Sequence, residues 1–236
     1  MEERTSYFDR YAAVNDLSDA GRKATHRHHN AILRPYLPED KASPILDFGC
    51  GAGILLEWMK LLGYQNAFGI DNDAGQVKFA KGLGVNAERV DDGVEWLSSH
   101  VGFKLITIID VIEHFPNPAD DDLVRAMYHS LDQAGTLILR APNANSSFAS
   151  NFRYGDAQHH RSYTPERITT QLRGAGFRDV RVISDDSWLA NSIAGHARLA
   201  LRSIFRAFRR LQIVSELGSP ELRSPLSLNL IAIARK

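Results

Sequence analysis

The chain has 236 residues, 44% hydrophobic and 24% charged, with 28 basic and 28 acidic side chains that cancel at pH 7. That length suits one α/β domain with additions rather than two separate cores, and the neutral balance gives no support to a partner held through bulk charge such as a nucleic acid. No run of about 18 apolar residues is present to span a bilayer. The polar start, Met1-Glu-Glu-Arg-Thr-Ser6, has no apolar leader region, and Cys50 as sole cysteine can form no internal disulfide. A cytoplasmic location is expected.

Two helices are expected first, over Glu3 to Val14 and Asp19 to Tyr36. Tyr7, Phe8 and Tyr11 fall on one helical face, and no proline intervenes before Pro35. From Pro44 the pattern changes to short apolar runs separated by helical periodicity, the signature of a parallel sheet covered on both faces. Strands are expected at Ile45–Phe48, Ala67–Ile70, Val85–Val90, Leu105–Ile109 and Thr136–Leu139. Between them, Ile54 to Leu62 ends at Gly63, Ala74 to Lys81 ends at Gly82, and Leu123, Ala126, Met127, Ser130 and Leu131 share a helix face. Thr164-Pro-Glu starts a further helix: a capping hydroxyl, proline at the first helical position and an acid at the positive dipole end. Phe177–Ile183 and Leu228–Ala234 read as the last two strands, and the stretch from Ser184 to Ser227 between them reads as an insertion. The chain thus divides into a helical cap (1–43), a core (44–183), an insertion (184–227) and a last strand (228–236) of one domain.

The first strand ends in Asp47 and runs through Gly49, Gly51 and Gly53 into the helix at Ile54. Glycines at alternate positions allow a tight turn and close approach of the backbone to a ligand. A dinucleotide site wants G-x-G-x-x-G, with a pyrophosphate at the helix N-terminus. Here the sixth position is Ile54, and the G-x-G-x-G spacing suits a ligand without phosphates. Asp71, followed by Asn72, closes the second strand where a carboxylate can accept from both hydroxyls of a ribose; the alternative is a turn or helix-cap acid. Asp91 and Asp92 end the third strand. Asp92, with Gly93 and Val94 beyond it, suits an adenine edge as well as it suits a helix cap.

These residues resemble class I S-adenosylmethionine-dependent methyltransferases, within the group similar to the ubiquinone-biosynthesis O-methyltransferases. The resemblance rests on Leu46-Asp-Phe-Gly-Cys-Gly-Ala-Gly53, Gly69-Ile-Asp71, Ile109-Asp-Val-Ile-Glu-His114 and Ala141-Pro-Asn143. It implies a doubly wound, Rossmann-like sheet of seven mostly parallel strands with the last antiparallel. It also implies S-adenosylmethionine as donor and S-adenosylhomocysteine as product. Gly49, Gly51 and Gly53 would then cradle the methionine part, Asp71 the ribose, and Asp110 and Val111 the sulfonium side.

Methyl transfer from a sulfonium is an in-line displacement, so the protein mainly positions the acceptor and excludes water; a hydroxyl acceptor also needs a base. His159 is the first candidate and His114 the second; the structural alternatives are support of the following helix start for His159 and of its loop for His114. Asp110, Glu113, His114 and His159 also resemble the divalent-metal set of the small-RNA 3′-end methyltransferases, which implies metal-assisted methylation of a terminal ribose. A non-catalytic binder of S-adenosylmethionine is the reading from a third class. His26, His28 and His29 read as surface or cofactor-lid residues.

Between Asp186 and Glu216 there is no acid, yet Arg198, Arg202, Arg206, Arg209 and Arg210 occur there, and Leu201, Ile204, Phe205, Phe208 and Leu211 recur at helical spacing. The expectation is that this apolar stripe packs against the protein's own helices or a second subunit. The alternatives are a peripheral contact with an anionic membrane through Arg198 to Arg210, at the inner membrane face, and a lid over an anionic acceptor. Chains with such a basic insertion resemble methyltransferases of surface-glycan assembly, which implies a saccharide hydroxyl or other small acceptor.

Overall fold

A computed structural model describes residues 6–186, 193–218 and 224–236. Its centre is a seven-stranded sheet of order β3-β2-β1-β4-β5-β7-β6. The strands are β1 (Ile45–Phe48), β2 (Ala67–Asp71), β3 (Asn86–Arg89), β4 (Phe103–Ile109), β5 (Leu131–Pro142), β6 (Asp179–Ser184) and β7 (Asn229–Arg235). The first five pair in parallel, and β7 enters antiparallel between β5 and β6, as the family resemblance implied. Every residue of β1 is buried, because helices cover both faces. Leu46 and Phe48 point into one apolar cluster with Ile106, Ile108, Leu137 and Leu139, and Ile45 points into the other with Trp58, Met59, Leu105 and Ile138.

The helices are α1 (Tyr7–Val14), α2 (Asp19–Ile32), α3 (Ile54–Leu61), α4 (Ala74–Gly82), α5 (Gly93–Ser99), α6 (Ala119–Ser130), α7 (Ala149–Gly155), α8 (Pro165–Ala175) and α9 (Ile193–Leu217). Ser6 caps α1 through a reciprocal bond with Asp9, and Thr164 caps α8 by accepting from Arg167 N. Of the expected first helix, Glu3 to Thr5 lie outside the described residues. The expected second helix stops at Ile32, and Pro35, which has no N–H to donate, sits in a 3-10 turn over Arg34–Tyr36. Helices α5 and α7 carried no sequence expectation. Both are seven residues long, too short for a periodic apolar face to stand out.

The N-terminal helices fold over the sheet. Arg22 and His26 of α2 meet Glu57 of α3 at 2.9 and 3.2 Å, and the Phe8 ring lies 5.7 Å from Phe79 of α4. His29 is buried beside Trp58, with its pKa held well below the ordinary value by burial and by Arg140. A surface role for His29 is therefore corrected.

The expected packing of the insertion helix against the protein's own helices is corrected too. Leu201, Ile204, Phe205, Phe208 and Leu211 of α9 are 53–70% exposed. The helix is rotated the other way because Arg202 and Arg206 turn inward to Asp186, at 3.7 and 2.7 Å.

At the start of α3, Gly53 adopts φ 77°, and a Cβ there would lie 2.7 Å from the Ala80 Cβ of α4. Gly53→Ala is expected to destabilise the protein by about 2–4 kcal/mol, from left-handed strain plus overpacking. Urea denaturation checks this; an unchanged midpoint would contradict the close α3–α4 contact.

Candidate active site

The strand order reverses between β1 and β4, so the loops after their carboxyl ends splay apart there and leave a crevice. A cavity of about 1100 Å³ occupies that place. Its lining includes nine of the ten sequence-predicted cofactor residues: Asp47, Gly49, Gly51, Asp71, Asn72, Asp92, Gly93, Asp110 and Val111. Gly53 is not among them; it faces α4 and serves packing.

The glycine loop is fixed from below. Gly49 N and Cys50 N donate to Ile70 O at 2.8 and 3.0 Å, Gly51 N donates to Asp71 Oδ2 at 2.9 Å, and Gly53 N donates to Cys50 O at 2.9 Å. Four donors that a phosphate cradle would need are thus already spent, which agrees with a ligand lacking phosphates. The glycines serve shape instead: at Gly49, with φ 70°, a Cβ would collide with the Val111 side chain at 2.4 Å.

Asp71 is held by Gly51 N through one oxygen and by Asp73 N at 2.9 Å through the other, and burial raises its pKa. Each oxygen keeps a second lone pair for a ligand hydroxyl. Asp92 caps α5 by accepting from Val94 N and Glu95 N at 3.0 and 2.9 Å, and it also lines the cavity; the two readings of this acid coexist. Asp91 lines the cavity too and pairs with Arg89 at 2.7 Å. Asp47 accepts from Thr107 Oγ1 at 2.7 Å, and burial pushes its carboxyl up to about 7.

Asp110 has φ 55°, and its carboxylate is gripped by Arg140 through Nε at 2.9 Å and through a second contact of Nη2 with Oδ2. The same guanidinium lies 3.7 Å from Asp185 and 3.4 Å from His28 Nε2. Burial opposes its charge, but Asp110 and Asp185 keep its pKa above the ordinary value. The sequence reading passed over Arg140, although a charge inside the apolar run Thr136 to Ala141 was a usable sign. Tyr7 and Tyr11, which the sequence shows only as one helical face, line the cavity from α1.

His114 lines the cavity and His159 does not; the two rings meet edge-on with centroids 4.8 Å apart. His114 Nδ1 is 3.3 Å from Gln158 O, and burial, then His159, lowers its pKa, so the ring is neutral near pH 7. His159 Nδ1 lies 2.7 Å from Phe152 O, and its Nε2 is 4.0 Å from Glu113 Oε1. Glu113 is buried with Oε2 unpartnered, and burial and Asp110 raise its pKa well above the ordinary value. Glu113, His114 and His159 offer ligand atoms within 4.8 Å of one another. Asp110, the fourth residue of the metal set, is instead committed to Arg140.

A family model described as a methyltransferase domain matches residues 20–182. The chain belongs to the methyltransferase domain family. It is 32% identical over 111 residues to a ubiquinone biosynthesis O-methyltransferase of Serratia proteamaculans, covering 43% of this chain and 44% of that one. A protein of the same name from Xanthomonas axonopodis pv. citri is 27% identical over 223 residues, covering 84% and 90%. The chain spans less than half the length of the first curated relatives it matches. A crystal structure of a SAM-dependent methyltransferase from Archaeoglobus fulgidus superposes with a TM-score of 0.70 at 22% identity, covering 98% and 100% of the two chains, which shows the fold. With its glycine loop, Asp71 and sheet order, the chain has the class I arrangement of that family.

Asp47 gives the site a pH-dependent stability. A carboxyl whose folded pKa is raised from 3.8 to about 7 contributes most below pH 3.8 and loses that contribution as pH rises through about 7. Asp47→Asn is therefore expected to gain melting temperature relative to the parent as pH rises from 4 to 7, with the gap constant above. A gap independent of pH would contradict the assignment.

Proposed function

We propose that this chain is an S-adenosylmethionine-dependent O-methyltransferase acting on a hydroxyl of a saccharide or other small acceptor. The observation that carries this reading is the switch-point cavity, which joins the glycine loop, Asp71 and Asp92 on one side to the neutral imidazole of His114 on the other. The name shared by the curated relatives, O-methyltransferase, supports oxygen as the acceptor atom. S-adenosylmethionine, when bound, supplies a methyl group on a sulfonium and leaves as S-adenosylhomocysteine. Asp71 would accept from the ribose hydroxyls, and Asp92 with Gly93 would meet the adenine. Asp47, Gly49, Gly51, Asp110 and Val111 would enclose the methionine and sulfonium side. His114, with Nδ1 donating to Gln158 O, carries its lone pair on Nε2 and takes the hydroxyl proton as the carbon–oxygen bond forms and the carbon–sulfur bond breaks. His159, behind His114 and tied through Nδ1 to Phe152 O, fixes that ring.

A second reading rests on the orphaned Glu113 Oε2 beside two imidazoles. A divalent ion held there would orient vicinal hydroxyls, as a terminal ribose or a sugar diol presents them. The base reading is preferred because Asp110 is committed to Arg140, which leaves three ligands, and because the neutral charge balance lends no support to RNA.

Two measurements test the proposal. Calorimetry should register S-adenosylhomocysteine binding, weakened roughly tenfold or more in Asp71→Asn, the loss expected of a charge-assisted hydrogen bond. Unchanged affinity would remove the ribose assignment, and absence of binding by the parent chain would remove the function. With a hydroxylated acceptor, the rate should fall on the acid side with an apparent pKa below about 6.5. That limb should vanish in His114→Asn, and turnover should survive a chelator. Loss of turnover in chelator with recovery on adding a divalent ion would replace the base by the metal.

A further inference from the structure

Helix α9 presents an unusual distribution of side chains. Its large apolar residues, Leu201, Ile204, Phe205, Phe208 and Leu211, are all more than half exposed, as is Ile193 at its start. At 100° per residue they fall within an arc of about 120°, and the stripe runs roughly 27 Å along the axis. Surface helices of this kind ordinarily turn such a stripe inward. Here the side facing the protein carries Arg202 and Arg206, both engaged with Asp186. Leucines and phenylalanines are left facing outward, and no α9 residue lines the cofactor cavity.

The charge distribution decides between occupants of that stripe. From Ile193 to Gly218 there are five arginines and a single acid, Glu216. Arg198 and Arg209 fall along one flank of the stripe, next to Phe205. A second copy of α9 laid against the first would bring two such arginine sets together with almost no acid between them. An anionic surface meets the same set with opposite sign, and long arginine stems can keep their heads among phosphates while the apolar residues enter the acyl boundary. Among the described residues, no helix is long and apolar enough to cross a membrane, so the contact would be one of lying on the surface.

We propose that the outward face of α9 docks this methyltransferase on an anionic lipid surface. The apolar stripe enters the interface, and the flanking arginines engage lipid phosphates. The inward Arg202 and Arg206, latched on Asp186, hold the helix in the rotation that presents the stripe. This inference stands on α9 alone and is independent of the reaction proposed above.

Flotation of the full chain with vesicles tests it. Phosphatidylcholine vesicles containing phosphatidylglycerol should carry the protein upward at least tenfold better than phosphatidylcholine alone, and salt above physiological strength should reduce that advantage. The double variant Phe205→Glu/Phe208→Glu should stay at the bottom of the gradient with unchanged melting temperature, since both side chains are exposed. Arg198→Gln/Arg209→Gln should lose most of the preference for the anionic vesicles. Sedimentation without lipid should find a monomer. No flotation with anionic vesicles, equal flotation with both vesicle types, or a lipid-free dimer dissolved by Phe208→Glu would each overturn the proposal, the last in favour of a second copy.

Discussion

Asp71 stands where two crossovers of the sheet meet. One of its oxygens accepts from Gly51 N and the other from Asp73 N, so a single carboxylate fixes the loop after β1 against the loop after β2. The rest of the cavity follows from that tie. The glycine loop can hang on Ile70 O and turn with positive φ only if its far side is anchored, and Asp71 is the anchor. Burial raises the pKa of this carboxyl while the two N–H groups favour its charged form. The acid that organises the loop is therefore also the acid offered to the ligand, and one residue serves architecture and recognition.

A second set of charges closes the other side. Arg140 leaves an apolar strand to grip Asp110, and it lies near Asp185 beyond β6 and His28 on α2. Four segments distant in sequence meet at this guanidinium. Buried ion pairs contribute little net stability, but removing one partner strands the other. The arrangement is best understood as orientation: it engages the Asp110 carboxylate and leaves Glu113, His114 and His159 as the group whose ligand atoms lie together. The backbone bond from His160 N to Glu113 O at 2.8 Å brings the two histidine-bearing segments together.

The insertion shows the same economy of charge. Asp186, two residues past the end of β6, receives Arg202 and Arg206, and this latch sets the rotation of a 25-residue helix. An amphipathic pattern specifies two faces. It does not specify which of them meets the protein when the polar face also has a partner.

The sequence by itself determined most of the sheet, because β1, β2 and β4 are short runs rich in apolar residues, and because the helices between strands follow a period that needs no distant partner. Ile45–Phe48 was legible to the residue, and the Thr164 cap and the ends at Gly63 and Gly82 were legible from local chemistry. The cofactor side was legible for the same reason: Gly49, Gly51, Asp71 and Asp92 are placed by strand ends, and strand ends are local features. What only the tertiary structure decided was pairing across the chain. Gly53 faces α4 because of where Ala80 lies, and His114 rather than His159 reaches the cavity because the ring of one stands in front of the other. Asp110 left the metal set because Arg140 arrives from another strand, and the α9 stripe faces outward because Asp186 captures its arginines. A hydrogen bond or ion pair between residues far apart in sequence depends on the completed fold, and no periodicity along the chain encodes it.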